Sequence, residues 1–150
     1  MSNVQASFKH IVIATDFGEP SEHAVEVGLA IAAKFDATVT LLHAVWIPPL
    51  ANAYVEGLPW PVDAYDEAAK KGLSEALAKA KALHPKVESK LIAGEPARTI
   101  IETSRDEHAD LLVLGTHGRR GLSHVVMGSV AERVVRQSEV PVLTVGLKKK

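Results

Sequence analysis

The chain has 150 residues, 47% apolar and 23% charged, with a formal net charge of −1. That length suits one domain with a substantial core, and the near-neutral balance supplies no basic field to recruit nucleic acid or an anionic membrane. Cysteine is absent, which excludes disulfides, thiolate metal sites and cysteine nucleophiles. No apolar run reaches the length of about 18 residues that spans a bilayer. The polar stretch from Met1 to Lys9 lacks the apolar centre of a signal peptide, so the expected location is the cytoplasm.

His10 to Ala14 reads as a first strand. Ser21 to Phe35 reads as a helix entered through Pro20, with Ala24, Val27, Ala30 and Ile31 on its inner face. Thr38 to Val45, rich in β-branched residues, reads as a second strand, and its His43 as a buried, hydrogen-bonded histidine. From Trp46 to about Val62 the chain turns irregular, with Pro48, Pro49, Pro59, Pro61, Tyr54 and Trp60. A loop that long is uncommon in a compact domain; it either covers a sheet edge or serves function. Asp63 to Leu83 reads as a helix with Ala69, Leu73, Ala76, Leu77 and Ala80 inward and lysines outward, stopped by His84-Pro85.

Val87 to Ile92 has the imperfect alternation of a strand near a sheet edge. Gly94-Glu95-Pro96 then opens a helix whose inner face is Ala97, Ile100, Ile101 and Ser104. Leu111 to Leu114, wholly apolar, fits a central parallel strand. A helix from Val130 to Gln137 and a strand from Val140 to Val145 complete the chain. Five strands alternating with four helices imply an α/β fold: right-handed crossovers and a parallel sheet covered on both faces. In such sheets ligands bind at the carboxyl ends of the strands, where strand order reverses. The segments after Ala14, Val45 and Leu114 share that edge.

They carry the residues with chemistry to offer. Gly115 and Gly118 close a loop at a strand end; nine residues later Gly128 and Ser129 open a helix. Glycines allow close approach of an anion to the backbone, and the N–H groups of a helix start point at it. Asp16 could accept hydrogen bonds from a ribose or adenine, hold a cation, or cap the turn that follows. Ser129 could donate to a phosphate, or form a capping box with Glu132. Arg119 and Arg120 could reach a terminal phosphate or lie exposed. His117 and His124 flank the same loop, yet no histidine pair has metal-ligand spacing with a carboxylate partner. The motif lacks the lysine of a Walker A loop and the spacing of a Rossmann fingerprint, so it suits holding a nucleotide more than cleaving one.

At these residues the chain resembles the universal stress proteins, in their ATP-binding subclass. The likeness rests on the strand end at Asp16, Leu41-Leu-His-Ala44, Gly94-Glu-Pro-Ala97, Asp110 to Gly118, Gly128-Ser-Val-Ala131 and Val140 to Val145. The family motif G-x2-G-x9-G-[S/T] is met by Gly115, Gly118, Gly128 and Ser129. The resemblance implies an open, Rossmann-like parallel sheet in the order 3-2-1-4-5, within one domain spanning residues 1–150. It implies a homodimer paired through Val140 to Val145, an apolar strand that would otherwise be an open edge. It also implies adenine at the Ala44 backbone, adenosine against Asp16, and ribose and phosphates at the glycines and Ser129. The expected nucleotide contacts are Thr15, Asp16, Ala44, Gly115, Gly118, Arg119, Gly128, Ser129 and Val130, with ATP, ADP or AMP as ligand and Mg2+ carried on the phosphates. Three functions stay open at this point: a nucleotide-dependent stress regulator, a slow ATPase or nucleotide-dependent transferase, and a module that binds a protein partner without nucleotide.

Overall fold

Neighbouring residues of the first strand point to opposite sides, and this sorts the core into two layers. In β1 (His10–Ala14), Ile11 and Ile13 enter one layer, Val12 and Ala14 the other. The computed structural model describes residues 7–46, 62–117 and 127–147. After β1 come α1 (Glu19–Phe35), β2 (Thr38–Val45), α2 (Val62–Leu83), β3 (Val87–Ala93), α3 (Pro96–Asp106), β4 (Leu111–Gly115), α4 (Ser129–Gln137) and β5 (Val142–Val145). All strand pairings are parallel, in the order β3-β2-β1-β4-β5. Central β1 sets Ile13 between Leu41 of β2 and Val113 of β4. α1 and α2 cover the Ile11–Ile13 face; α3 and α4 cover the other. None of the described helices is long and apolar enough to cross a membrane.

The elements follow the sequence reading, with differences that have local causes. α1 starts at Glu19, two residues before Ser21, because Gly18 takes the N-cap and Pro20 suits a first helical turn. Its buried side is Ser21, Ala24, Gly28, Leu29 and Ala32. Val27 and Ile31 are only half-buried and Ala30 is exposed, so the inner face is rotated from the expected one. Small residues win this face because the helix lies close to the sheet: a Cβ on Gly28 would stand 2.6 Å from Ile13 Cδ1. The helix ends at Asp36 in the left-handed region, φ 54°. Lys86 Nζ, 2.8 Å away, donates to the Asp36 carboxylate and holds its pKa below the usual value.

In α2 the expected stripe holds: Ala69, Leu73 and Ala80 are buried, with Ala76 and Leu77 packed against them. α3 buries Ala97, Ile100 and Ser104 as expected, together with Thr99 and Thr103, while Ile101 is half-buried. Glu95 caps it, accepting from the N–H groups of Ala97 and Arg98 at 3.2 and 3.1 Å. The same carboxylate accepts from Arg133 Nη1 at 2.7 Å, which ties α3 to α4. β3 is an edge strand, as its alternation implied. β5 begins at Val142, not Val140. Pro141 has no N–H to give; only its carbonyl pairs, accepting from Leu112 N–H at 2.9 Å.

Candidate functional site

β1, β2 and β4 end side by side, and β1 and β4 lie where the strand order reverses. An open cleft of about 220 Å3 lies there. Five stretches of chain build it: the turn after β1, the end of β2, the start of α3, the end of β4 and the start of α4.

The turn after β1 is held by its own polar groups. Asp16 Oδ1 accepts from Gly18 N–H at 2.9 Å and from the Ser21 hydroxyl at 2.6 Å. The Ser21 oxygen in turn accepts from Asp16 N–H at 3.2 Å. The turn-capping role open to Asp16 is thus realised, at a position that also lines the cleft. Thr15 N–H donates to Leu42 O at 2.9 Å, extending the β1–β2 pairing by one residue.

His43 of β2 is buried, as expected of it, with Nδ1 2.8 Å from the Thr15 carbonyl oxygen. A carbonyl can only accept, so the proton of this bond sits on Nδ1. The ring of Phe17 lies against the imidazole, centroids 4.2 Å apart. Ala44, next along β2, reaches the cleft wall.

Beyond β4, Thr116 N–H donates to Val145 O at 3.0 Å and its carbonyl accepts from Gly128 N–H. This bond closes the neck of the segment between β4 and α4. Gly128 occupies the N-cap of α4, with φ −70° and ψ 163°. Ser129 is therefore the first helical residue and not the cap. The Ser129–Glu132 capping box does not form: Glu132 N–H goes to the Gly128 carbonyl and Glu132 Oε1 meets Arg136 at 3.1 Å. The helix starts one residue sooner than a serine cap requires. Its first turn, without a side-chain cap, stands in the cleft wall.

Of the residues singled out from sequence, Thr15, Asp16, Ala44, Gly115, Gly128, Ser129 and Val130 all line this cleft. Gly118, Arg119, Arg120 and His124 lie outside the described residues, as does nearly all of the segment after Trp46. The sequence reading missed the apolar walls: Leu42, Leu114, Pro96 and Ile100. Leu42 is two residues before Ala44, hence on the same face of β2, and Ile100 is one helical turn beyond Pro96. Both spacings were visible, but each residue also fits a plain core role. Among the described residues no three His, Asp or Glu side chains gather to hold a metal ion.

A parallel sheet in the order 3-2-1-4-5, with its cleft at the switch point, defines a doubly wound α/β protein of the Rossmann-like kind. The sequence pattern of the universal stress protein family matches residues 7–146, and the chain belongs to that family. It is 36% identical over 152 aligned positions to universal stress protein MJ0531 of Methanocaldococcus jannaschii, covering 99% of this chain and 88% of that one. Among solved structures, universal stress protein UspA from Lactobacillus plantarum superposes with a TM-score of 0.80 at 24% identity, over 94% and 99% of the two chains. A universal stress protein in complex with cAMP superposes with a TM-score of 0.74 at 26% identity, over 95% and 100%.

Proposed function

We propose that this chain binds an adenine nucleotide in the cleft and acts as a nucleotide-dependent regulator in the stress response. One observation carries the reading: the first turn of α4, with a glycine for its N-cap, lines the same cleft as the polar turn at Asp16. A helix start of this kind favours an anion by its N–H groups and its dipole. Leu42, Leu114, Pro96 and Ile100 offer the apolar surface that a purine face needs. The family member solved with cAMP supports the same ligand class.

In this reading the base lies at the Ala44 backbone and the sugar against Thr15 and Asp16. Ribose and phosphates meet Gly115, Gly118, Gly128, Ser129 and Val130, with Arg119 reaching the outermost phosphate. The ligand is ATP, ADP or AMP, and Mg2+ travels on its phosphates. The chain holds the nucleotide without rapid turnover, since no Walker lysine follows the motif and Asp16 Oδ1 is engaged by its own turn. It works in the cytoplasm as a homodimer, paired along the edge that β5 leaves on the sheet.

Isothermal titration with ATP, AMP and cAMP tests the ligand. Saturable binding of at least one is the expected result; no heat with any of them at millimolar concentration overturns the reading. Phosphate release above a no-protein blank, abolished in Asp16→Ala, would move the function to a slow ATPase.

A further inference from the structure

Phe17 is the strained residue of the turn after β1. Its φ of 67° lies in the left-handed region, which a bulky aromatic rarely adopts. Asp36 and His108, the other described non-glycine residues with positive φ, sit at helix ends, where such a conformation is common. Phe17 instead lies in the turn between β1 and α1. Gly18, which could take a positive φ at no cost, follows it directly and has φ −79°. The strain thus falls on the residue with the large ring, held there by the turn's own hydrogen bonds on either side and by contacts of that ring.

Those contacts are specific. One side of the ring lies on His43, centroids 4.2 Å apart and planes tilted by 32°. Another part of the ring fits a slot in α2 at Gly72, where a Cβ would stand 2.9 Å from Phe17 Cε2 and 3.0 Å from Cδ2. His43 Nδ1–H donates to the Thr15 carbonyl at 2.8 Å. That carbonyl and the Asp16 N–H belong to one planar peptide unit. The Asp16 N–H is received by Ser21 Oγ at 3.2 Å. His43 and Ser21 therefore grip the same peptide plane at its two ends, and this plane forms part of the cleft.

We infer that Phe17 and His43 are positioning residues: the Phe17 ring, seated in the Gly72 slot, holds the imidazole so that it fixes the Thr15–Asp16 peptide for the ligand. The inference rests on the nucleotide reading for the ligand's identity, though not for the placement of the peptide. Gly72 belongs to α2 and does not line the cleft. An alanine there raises helix propensity. A structural role alone would leave the binding site as it was.

The test compares wild type with Gly72→Ala, His43→Leu, His43→Asn and Phe17→Leu. Calorimetry with ATP, AMP and cAMP gives affinity, amide hydrogen exchange follows Asp16 in ligand-free protein, and thermal melting checks the fold. Gly72→Ala and His43→Leu should weaken binding by about fivefold or more and lose protection at the Asp16 amide. His43→Asn, which keeps a donor at the same place, should recover most of both. Phe17→Leu serves if either of the first two fails to fold, and should behave as they do. Folded variants with wild-type affinity and unchanged Asp16 exchange would overturn the inference. If wild type binds none of the three nucleotides, the ligand assignment fails, and Asp16 exchange in the variants still decides the positioning role.

Discussion

A Cβ on Gly115 would stand 3.0 Å from the Pro20 carbonyl oxygen and 3.1 Å from its carbon. Those are backbone atoms of a helix's first turn and have little room to retreat. Gly115 is therefore a packing glycine, letting the end of β4 touch the start of α1. Gly128 differs, for its φ of −70° and ψ of 163° suit any residue. It lines the cleft, so a side chain there would project from the wall that a ligand meets. Gly115→Ala should thus destabilise the protein by about 1–3 kcal/mol in denaturant titration, the usual range for overpacking. Gly128→Val should melt close to wild type and lose nucleotide binding in calorimetry. The motif's spacing was plain in the sequence, but the separate duties of its glycines were not. Gly115 owes its duty to Pro20, distant along the chain. Ser129 misled for a related reason: its fit to a capping box is local, while the neck bond from Gly128 N–H to Thr116 O ties the start of α4 to β4.

Helix α1 meets the sheet through Ser21, Ala24, Gly28 and Ala32, one small residue per turn. Gly28→Val should force Ile13, which is wholly buried, out of its rotamer. A loss of about 1–3 kcal/mol is expected, read as a lower urea midpoint at unchanged slope. The order and type of the nine elements among the described residues were legible because the chain changes cleanly between strand-like and helical periodicity. The inner face of α1 was less so. Its apolar residues spread over most of its circumference, and larger ones such as Val27 and Ile31 drew the reading from a face chosen for closeness. Strand β5 was read too long because Val140 is apolar. The Ser138 hydroxyl, accepting from Val140 N–H at 3.1 Å and donating to Val140 O at 2.8 Å, turns that residue into the connection instead.

Across the whole molecule, alternation alone gave a parallel sheet covered on both faces, but not the order of its strands. Five parallel strands can be arranged in several ways, and the order came from the family resemblance, which the pairings match. The cleft's polar side was legible from strand ends and glycines; its apolar walls emerge only when β2, β4 and α3 are packed together. At this scale the proposed pairing through β5 is open to a direct measurement. Sedimentation equilibrium should report twice the chain mass of 16.1 kDa. A monomer at every concentration up to the solubility limit would rule that pairing out.

The turn from Thr15 to Ser21 has a consequence for the thermodynamics of any ligand that docks on it. Asp16, Gly18 and Ser21 already satisfy one another, and Phe17 N–H is taken by Thr15 Oγ1 at 3.1 Å. The conformational entropy of this rim is surrendered when the chain folds. Association there draws little further on backbone freedom, so this side of the cleft behaves as a preorganised receptor and keeps more of its contact energy as affinity.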